Sequence, residues 1–480
     1  MLRNHIFTNI INGWKLEAKL ENPRYFFSYR EVDMILQNKK CYVIGRKGSG
    51  KSAICQHIIA TKDYNTFSCK LSFKQFPFNV LYELQDGQFT GSNQYITIWK
   101  FIIYSSVLKM MASNNGIDNN IKEALSSLFP KNSTKDLRRE ISEWTKLDFG
   151  VNVLGNGGNF SIERSNKPSA LSWIERIDVM EDIIAQYAGN SKYYIVFDEL
   201  DEDYQDIRES KSFKAYLDLL KGLFKAVQDV KSRFRKEDGL NIMPVVFLRN
   251  DIYAHIKDSD KTKWSDMMIE LEWDSAKLKS LLAYRIYQDD PQHKGTPNFT
   301  TEWERVFSKD LVKFGSQKGK GIHSFDFIAN STLLRPRDFI MYVKACCEEV
   351  REDELLISPE TIHKVDRKFS NYLVGEFKDE LAPILPDIDR IFYLLSLQRQ
   401  WIFSPETFKD DYNKEYEAGN IKEKNVDYVL ETLYNFSVIG LENKNQTKIH
   451  YFKYINTNMT YNRREKIVLH RGLFKALGII

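Results

Sequence analysis

The sequence predicts an α/β protein built on a buried parallel sheet. Three short β-prone runs carry that prediction: CYVI (41–44), YYIVF (193–197) and VVFL (245–248), ending abruptly in glycine, acid and arginine respectively. The first two lead into stretches with helical spacing. Continuous apolar strands alternating with helices are what a sheet covered on both faces requires.

Composition bounds the function. At 480 residues, 42% hydrophobic and 28% charged, usage is ordinary for a globular chain and the length suits two or three domains. With 12 Pro and 23 Gly, collagen-like and long disordered architectures are excluded. The 69 Lys+Arg against 65 Asp+Glu leave +4, too little to mark a nucleic-acid binder by charge alone. Five cysteines without paired CxxC spacing argue against zinc and for free thiols in a reducing compartment. No apolar run approaches the ~20 residues that span a bilayer. The N-terminus lacks a secretory h-region, so the expectation is a soluble, cytoplasmic protein with no membrane contact.

The strongest local signal is KKCYVIGRKGSGKSAICQHII (39–59). Gly45, Arg46, Lys47, Gly48, Ser49, Gly50, Lys51 and Ser52 satisfy G-x-x-x-x-G-K-[ST] between a strand and a helix, the context of a phosphate-binding P-loop. Phosphates need a ring of backbone N–H donors, and glycines let the chain curl round them without a Cβ clash. The helix that follows adds a positive dipole end. Lys51 is expected to bring a point charge to the β- and γ-phosphates, Ser52 to ligate Mg²⁺, and the run through Ala53 to line the nucleotide.

The segment SKYYIVFDELDEDY (191–204) places Asp198 and Glu199 where a buried strand ends. That edge of an α/β sheet is where ligands bind. Asp198 is therefore expected to hold Mg²⁺, and Glu199 to orient and deprotonate the attacking water. The further acids Asp201, Glu202, Asp203 and Asp206 read as a solvated loop or helix start.

Phe213, Tyr216, Leu217, Leu220, Leu223, Phe224 and Val227 recur at steps of three and four, marking one face of a long helix within 206–237. The strand Val245–Leu248 then leads into Arg249-Asn250-Asp251, and if that strand neighbours Asp198, Arg249 or Asn250 is expected near the γ-phosphate. Another strand is expected within MMIELEW (267–273), followed by a helix over 274–286. Arg335 and Arg337 flank Pro336 at a helix start. Either one reaches the nucleotide from a helical lid, or both make ordinary ion pairs at a capping turn.

In that order, GRKGSGKS (45–52), IVFDELD (195–201), VVFLRNDIY (245–253) and LLRPRDF (333–339) resemble bacterial P-loop ATPases of the AAA+/STAND-like kind. These are related to origin-recognition-type ATPases and occur in anti-phage defence and DNA-maintenance operons. The resemblance covers roughly residues 25–350 and implies an ATP/Mg²⁺ site on an ASCE-type sheet of five parallel strands, with a helical lid. It matches Arg249 to a sensor arginine and Arg335 or Arg337 to a lid arginine. Relatives act as oligomers with an arginine finger supplied in trans, a role that no residue here can be assigned.

One departure stands out: Lys51 and Asp198 lie 147 positions apart, so an insertion of about 80–190 is expected. Within it, 97–112 and 119–129 look helical, and alternation around Gly155-Asn-Gly-Gly158 predicts a hairpin over 145–165. The expected organisation is an N-terminal helical extension (1–24), the ATPase core (25–275), the lid (276–380) and a winged-helix-like domain (381–480). The last rests on helices at 387–401, 404–419 and 426–440 before a hairpin near 441–455. Between 443 and 475, Lys444, Lys448, Lys453, Arg463, Arg464, Lys466, Arg471 and Lys475 face only Glu465, with Tyr451, Phe452, Tyr454 and Tyr461 interleaved. Such a cluster either contacts nucleic acid or forms a solvated wing whose aromatics close a small core.

The functional expectation is an ATP-binding and ATP-hydrolysing switch acting in a homo-oligomer with an effector or nucleic-acid partner, in anti-phage defence. The alternatives are an ATP-dependent DNA clamp of initiator type and a non-hydrolysing nucleotide-bound scaffold. No nuclease, deaminase or protease constellation is visible in the sequence, and the eight His form neither HExxH nor HxH.

Overall fold

Five runs pair as a parallel sheet: β1 (Tyr42–Gly45), β2 (Thr66–Ser72), β3 (Lys192–Asp198), β4 (Asn241–Arg249) and β5 (Met268–Glu270), with β1, β3 and β4 rich in Val, Ile, Phe, Tyr and Leu. Their order is β2-β3-β4-β1-β5. The computed structural model describes residues 4–61, 63–74, 78–82, 91–129, 137–145, 147–148, 163–164, 172–201, 211–234, 241–290, 294–313, 321–443 and 449–479. The chain divides into two compact units, Ser28–Glu272 and Met1–Phe27 with Trp273–Ile480.

In the Ser28–Glu272 unit the inner strands β1, β3 and β4 are almost wholly buried, as parallel strands covered on both faces must be. Register sets Gly45 opposite Arg249 and Ser72 opposite Asp198, so these residues gather at the C-terminal ends of their strands. Helices α1 (Lys51–Ala60), α2 (Ile96–Met111), α3 (Trp173–Tyr187) and α4 (Lys211–Arg233) accompany the sheet.

Helix α2 is mostly apolar and buried, with its two charges, Lys100 and Lys109, paired to Glu181 and Glu140. Its Trp99 lies edge-on to Phe73 and Phe197 and donates to the Leu219 carbonyl at 2.8 Å, tying α2 to the sheet and to α4. The segment expected as an insertion thus supplies part of the core. Asp118 caps the next helix, Asn119–Leu128, and Ser172 with Glu175 forms a capping box at the start of α3. Of the expected hairpin, the paired ends Leu147–Asp148 and Glu163–Arg164 are antiparallel; its glycine turn lies outside the described residues.

The second unit joins a helical part to a small antiparallel sheet. Its main helices are α5 (Ser275–Gln288), α6 (Pro336–Glu349) and α7 (Pro359–Leu381). After them come α8 (Ile388–Leu397), β6 (Ile402–Phe403), α9 (Pro405–Glu417), α10 (Val426–Asn435), β7 (Ile439–Glu442), β8 (His450–Tyr451) and β9 (Lys466–Leu469), with strand order β6-β9-β7-β8. Three helices interleaved with this sheet are the winged-helix arrangement.

Arg471 joins the two parts, its guanidinium 3.3 Å from Asp366 on α7 and stacked on Phe327. The N-terminal helix His5–Gly13 packs on α6, and the residues after it are pinned to the end of α5. There Trp14 Nε1 and the Tyr25 hydroxyl both donate to buried Asp289, at 2.9 and 2.5 Å. The five cysteines are free thiols. Among the described residues no helix is long and apolar enough to cross a membrane.

Candidate nucleotide-binding site

The loop between β1 and α1 takes its shape from its glycines. Gly48 and Gly50 hold φ of 78° and 99°, a region L side chains rarely adopt. Gly45 is needed for space, since a Cβ there would sit 2.5 Å from Ser49 Oγ and 3.0 Å from Leu271 Cβ. Helix α1 begins at Lys51 with Gly50 as its N-cap, no side-chain cap and no acid in its first turn. Its positive end is thus left to an anion.

Lys51 folds over the loop and donates to the Gly45 and Arg46 carbonyls at 2.8 and 3.0 Å. Burial pushes its pKa down to about 8, against the pull of Asp201, Asp251 and Asp198, while Arg249 adds to the depression. Those charges act on Lys51 because the loop and the ends of β3 and β4 share one edge. Ser52 is exposed one residue into the helix, and Arg46, Lys47 and Ala53 are half-buried beside it.

Asp198 is 3% exposed at the last position of β3. Lys70 Nζ lies 2.7 Å from Asp198 Oδ2 and 3.7 Å from Glu199 Oε2. Burial alone would lower the Lys70 pKa, but the charge and hydrogen bond of Asp198 leave it raised. Glu199 has φ of 60°, left-handed for a residue other than glycine. Strained backbone of this kind is stored at functional sites. The Ser72 hydroxyl donates to the Glu199 carboxylate. From α1, the Cys55 thiol faces Asp198, and burial raises its pKa.

Arg249 ends β4 with its guanidinium on Asp251, Nε to Oδ1 at 3.0 Å and Nη2 to Oδ2 at 2.6 Å, and with Asp201 3.7 Å away. Asp201 is therefore part of the charge balance at this edge rather than a plain solvated acid. Glu202, Asp203 and Asp206 lie outside the described residues. Arg335 and Arg337 belong to the other unit. Arg335 is 2% exposed, bound by Asp338 and by Glu380 at 3.0 Å; Arg337 has Glu376 at 3.6 Å and Glu17 at 3.9 Å.

Sequence reasoning missed β2 and with it Lys70 and Ser72. The signal was there as period-two alternation, Phe67, Cys69 and Leu71 against Ser68, Lys70 and Ser72. The polar face of that strand looks onto α1 and the acids, as the Ser68 hydroxyl 3.4 Å from the Ile59 carbonyl also marks.

The donor set fits magnesium and a nucleotide. No cluster of three or more His, Cys, Asp or Glu with metal-holding geometry occurs among the described residues. One carboxylate and one hydroxyl beside a phosphate loop are what Mg²⁺ uses when substrate phosphates complete its shell.

Residues 276–378 match a family described as the FunZ-associated C-terminal helical domain. No curated protein matches the chain. Among solved structures it is similar to the crystal structure of Cdc6p from Pyrobaculum aerophilum, at a TM-score of 0.32 and 10% identity, over 95% of this chain and 96% of that chain. The site's own geometry therefore carries the functional reading.

Proposed function

We propose that the protein is a nucleotide-driven switch that binds ATP with Mg²⁺ on the 45–53 loop and hydrolyses it. The observation that carries this reading is the convergence of Lys51, Asp198, Glu199 and Arg249 at one edge of a parallel sheet, around a glycine loop opening an uncapped helix. Lys51 exchanges its loop carbonyls for phosphate oxygens. Ser52 and Asp198 would hold Mg²⁺, which supplies charge neutralisation to the phosphates. Glu199, turned from Ser72, orients and deprotonates water. Arg249 leaves Asp251 for the γ-phosphate, so the strand end differs between triphosphate and diphosphate.

Lys51→Ala should abolish ATP binding, and Glu199→Gln should keep binding while losing turnover. Failure of the wild-type protein to bind ATP–Mg²⁺ at millimolar concentration overturns the reading. Wild-type turnover no faster than that of Glu199→Gln would leave a nucleotide-bound scaffold instead.

The motif order supports action in a homo-oligomer with an effector partner, in the anti-phage setting where similar ATPases occur. Mass measurement with and without ATP tests assembly. A second reading, a DNA clamp of initiator type, draws support from the exposed Arg463, Arg464 and Lys466 of the winged-helix part.

A further inference from the structure

We propose that Lys70 is a resident cation competing with the divalent metal for the Asp198 carboxylate, and so sets the metal concentration at which this site loads. The inference rests on the nucleotide reading of the same site and adds a positioning residue to it.

Lys70 and Ser72 lie two residues apart on edge strand β2 and share a face. Their register partners on β3 are Val196 and Asp198, which brings both side chains to the acids. The Lys70 ammonium is 2.7 Å from Asp198 Oδ2 and within 3.7 Å of Glu199 Oε2, while Ser72 donates to that same Glu199 oxygen. One ammonium thus neutralises the carboxylate that would ligate metal and draws in the one that would activate water. Both Lys70 and Asp198 are largely withdrawn from solvent, with side chains 21% and 5% exposed. Charges at this depth are poorly screened.

A divalent cation arriving at Asp198 meets a positive charge already on the same oxygens. Two cations this close repel each other at the dielectric of a protein surface. Lys70 must therefore withdraw from Asp198 as metal binds. Its withdrawal also frees Glu199, leaving Ser72 as that carboxylate's remaining tether. Metal loading and release of the water-activating residue become one event.

The test compares wild type, Lys70→Met and Lys70→Arg in two arms. In the first, Mn²⁺ alone is titrated and free Mn²⁺ read by electron paramagnetic resonance. Lys70→Met should bind Mn²⁺ on the order of tenfold more tightly than wild type, and Lys70→Arg, which keeps the charge, should resemble wild type. In the second, fluorescent ADP is titrated in EDTA, where Lys70→Met should match wild type within about threefold, since no metal is present to compete.

Unchanged or weaker Mn²⁺ binding in Lys70→Met overturns the inference. So does loss of metal-free ADP binding in that variant, which would make Lys70 a phosphate ligand. Failure of folded wild type to bind ADP in either EDTA or Mg²⁺ strikes the nucleotide reading instead, and the Mn²⁺ arm still decides what Lys70 does. Thermal unfolding of the three proteins separates a folding defect from a change in metal affinity.

Discussion

Gly45 and Arg249 are register partners on adjacent parallel strands, so the first residue of the glycine loop and the arginine guanidinium start from neighbouring backbone positions. The guanidinium is turned onto Asp251, with Nη2 2.6 Å from Oδ2. Arg249→Ala should therefore lower ATP turnover by about 10²-fold, as loss of a charge-stabilising donor does, while changing nucleotide affinity much less. Steady-state turnover alongside equilibrium nucleotide binding checks this. Equal losses in both would make Arg249 a ground-state phosphate ligand.

Gly45 and Gly50 are required for different reasons, and the difference is measurable. Alanine at Gly45 meets Ser49 and Leu271, whose Cβ cannot swing aside, so the loop must move. Alanine at Gly50 meets nothing within 4 Å but has to hold φ of 99°. That costs about 1–2 kcal/mol. Both variants should lose nucleotide affinity. Gly189→Ala is the control: it also places alanine on left-handed backbone, at a milder φ of 61°, but lies at the opposite end of β3. It should cost some stability in urea unfolding and leave nucleotide binding unchanged.

The shape of the glycine loop, the β3 and β4 ends and the order of elements in the winged-helix part were legible because each rests on a local rule. A glycine pattern between a strand and a helix, an apolar run stopped by an acid, and helix caps all lie within a few residues of chain. Strand β2 showed in the sequence only as period-two alternation, without its role. It is an edge strand with one polar face, and its Lys70 and Ser72 gain meaning only from Asp198 and Glu199, more than a hundred residues later. The role of α2 was hidden likewise. Its largely apolar sequence shows burial, but only folding brings Trp99 against Phe73 and Phe197. Arg335 shows the reverse limit, since no local pattern reveals that distant Glu380 joins Asp338 on its guanidinium.

Asp289 offers a pH-dependent test of the second unit. Burial pushes its pKa up to about 6, although hydrogen bonds from Tyr25 and Trp14 and the charges of Arg24 and Arg285 pull the other way. A carboxyl whose folded pKa is raised binds its proton more tightly in the native state. Its stabilising contribution is present below the unfolded value near 4 and is lost as pH rises through about 6. Asp289→Asn cannot ionise. Between pH 4 and 6.5, wild type should therefore lose about 2–3 kcal/mol relative to Asp289→Asn in urea unfolding. A gap independent of pH would show that Asp289 does not titrate in this window.

The winged-helix part carries the last test, because its basic residues are not equivalent. Arg471 is committed to Asp366 and Phe327, and Lys453 donates to the Met459 carbonyl at 2.8 Å. Phe452 and Tyr454 pack on each other and on His470, so these rings close a core. Arg463 and Arg464 remain at the surface, Arg463 with Asp427 at 3.1 Å. If this surface meets nucleic acid, Arg463→Glu with Arg464→Glu should weaken a gel shift and reduce the salt-dependence slope by about 2, one unit for each phosphate that is no longer neutralised. Asp427→Ala should tighten the same complex, because it releases Arg463 and removes a carboxylate from a phosphate-facing surface. A double reversal that leaves both affinity and slope unchanged would remove nucleic acid from this surface.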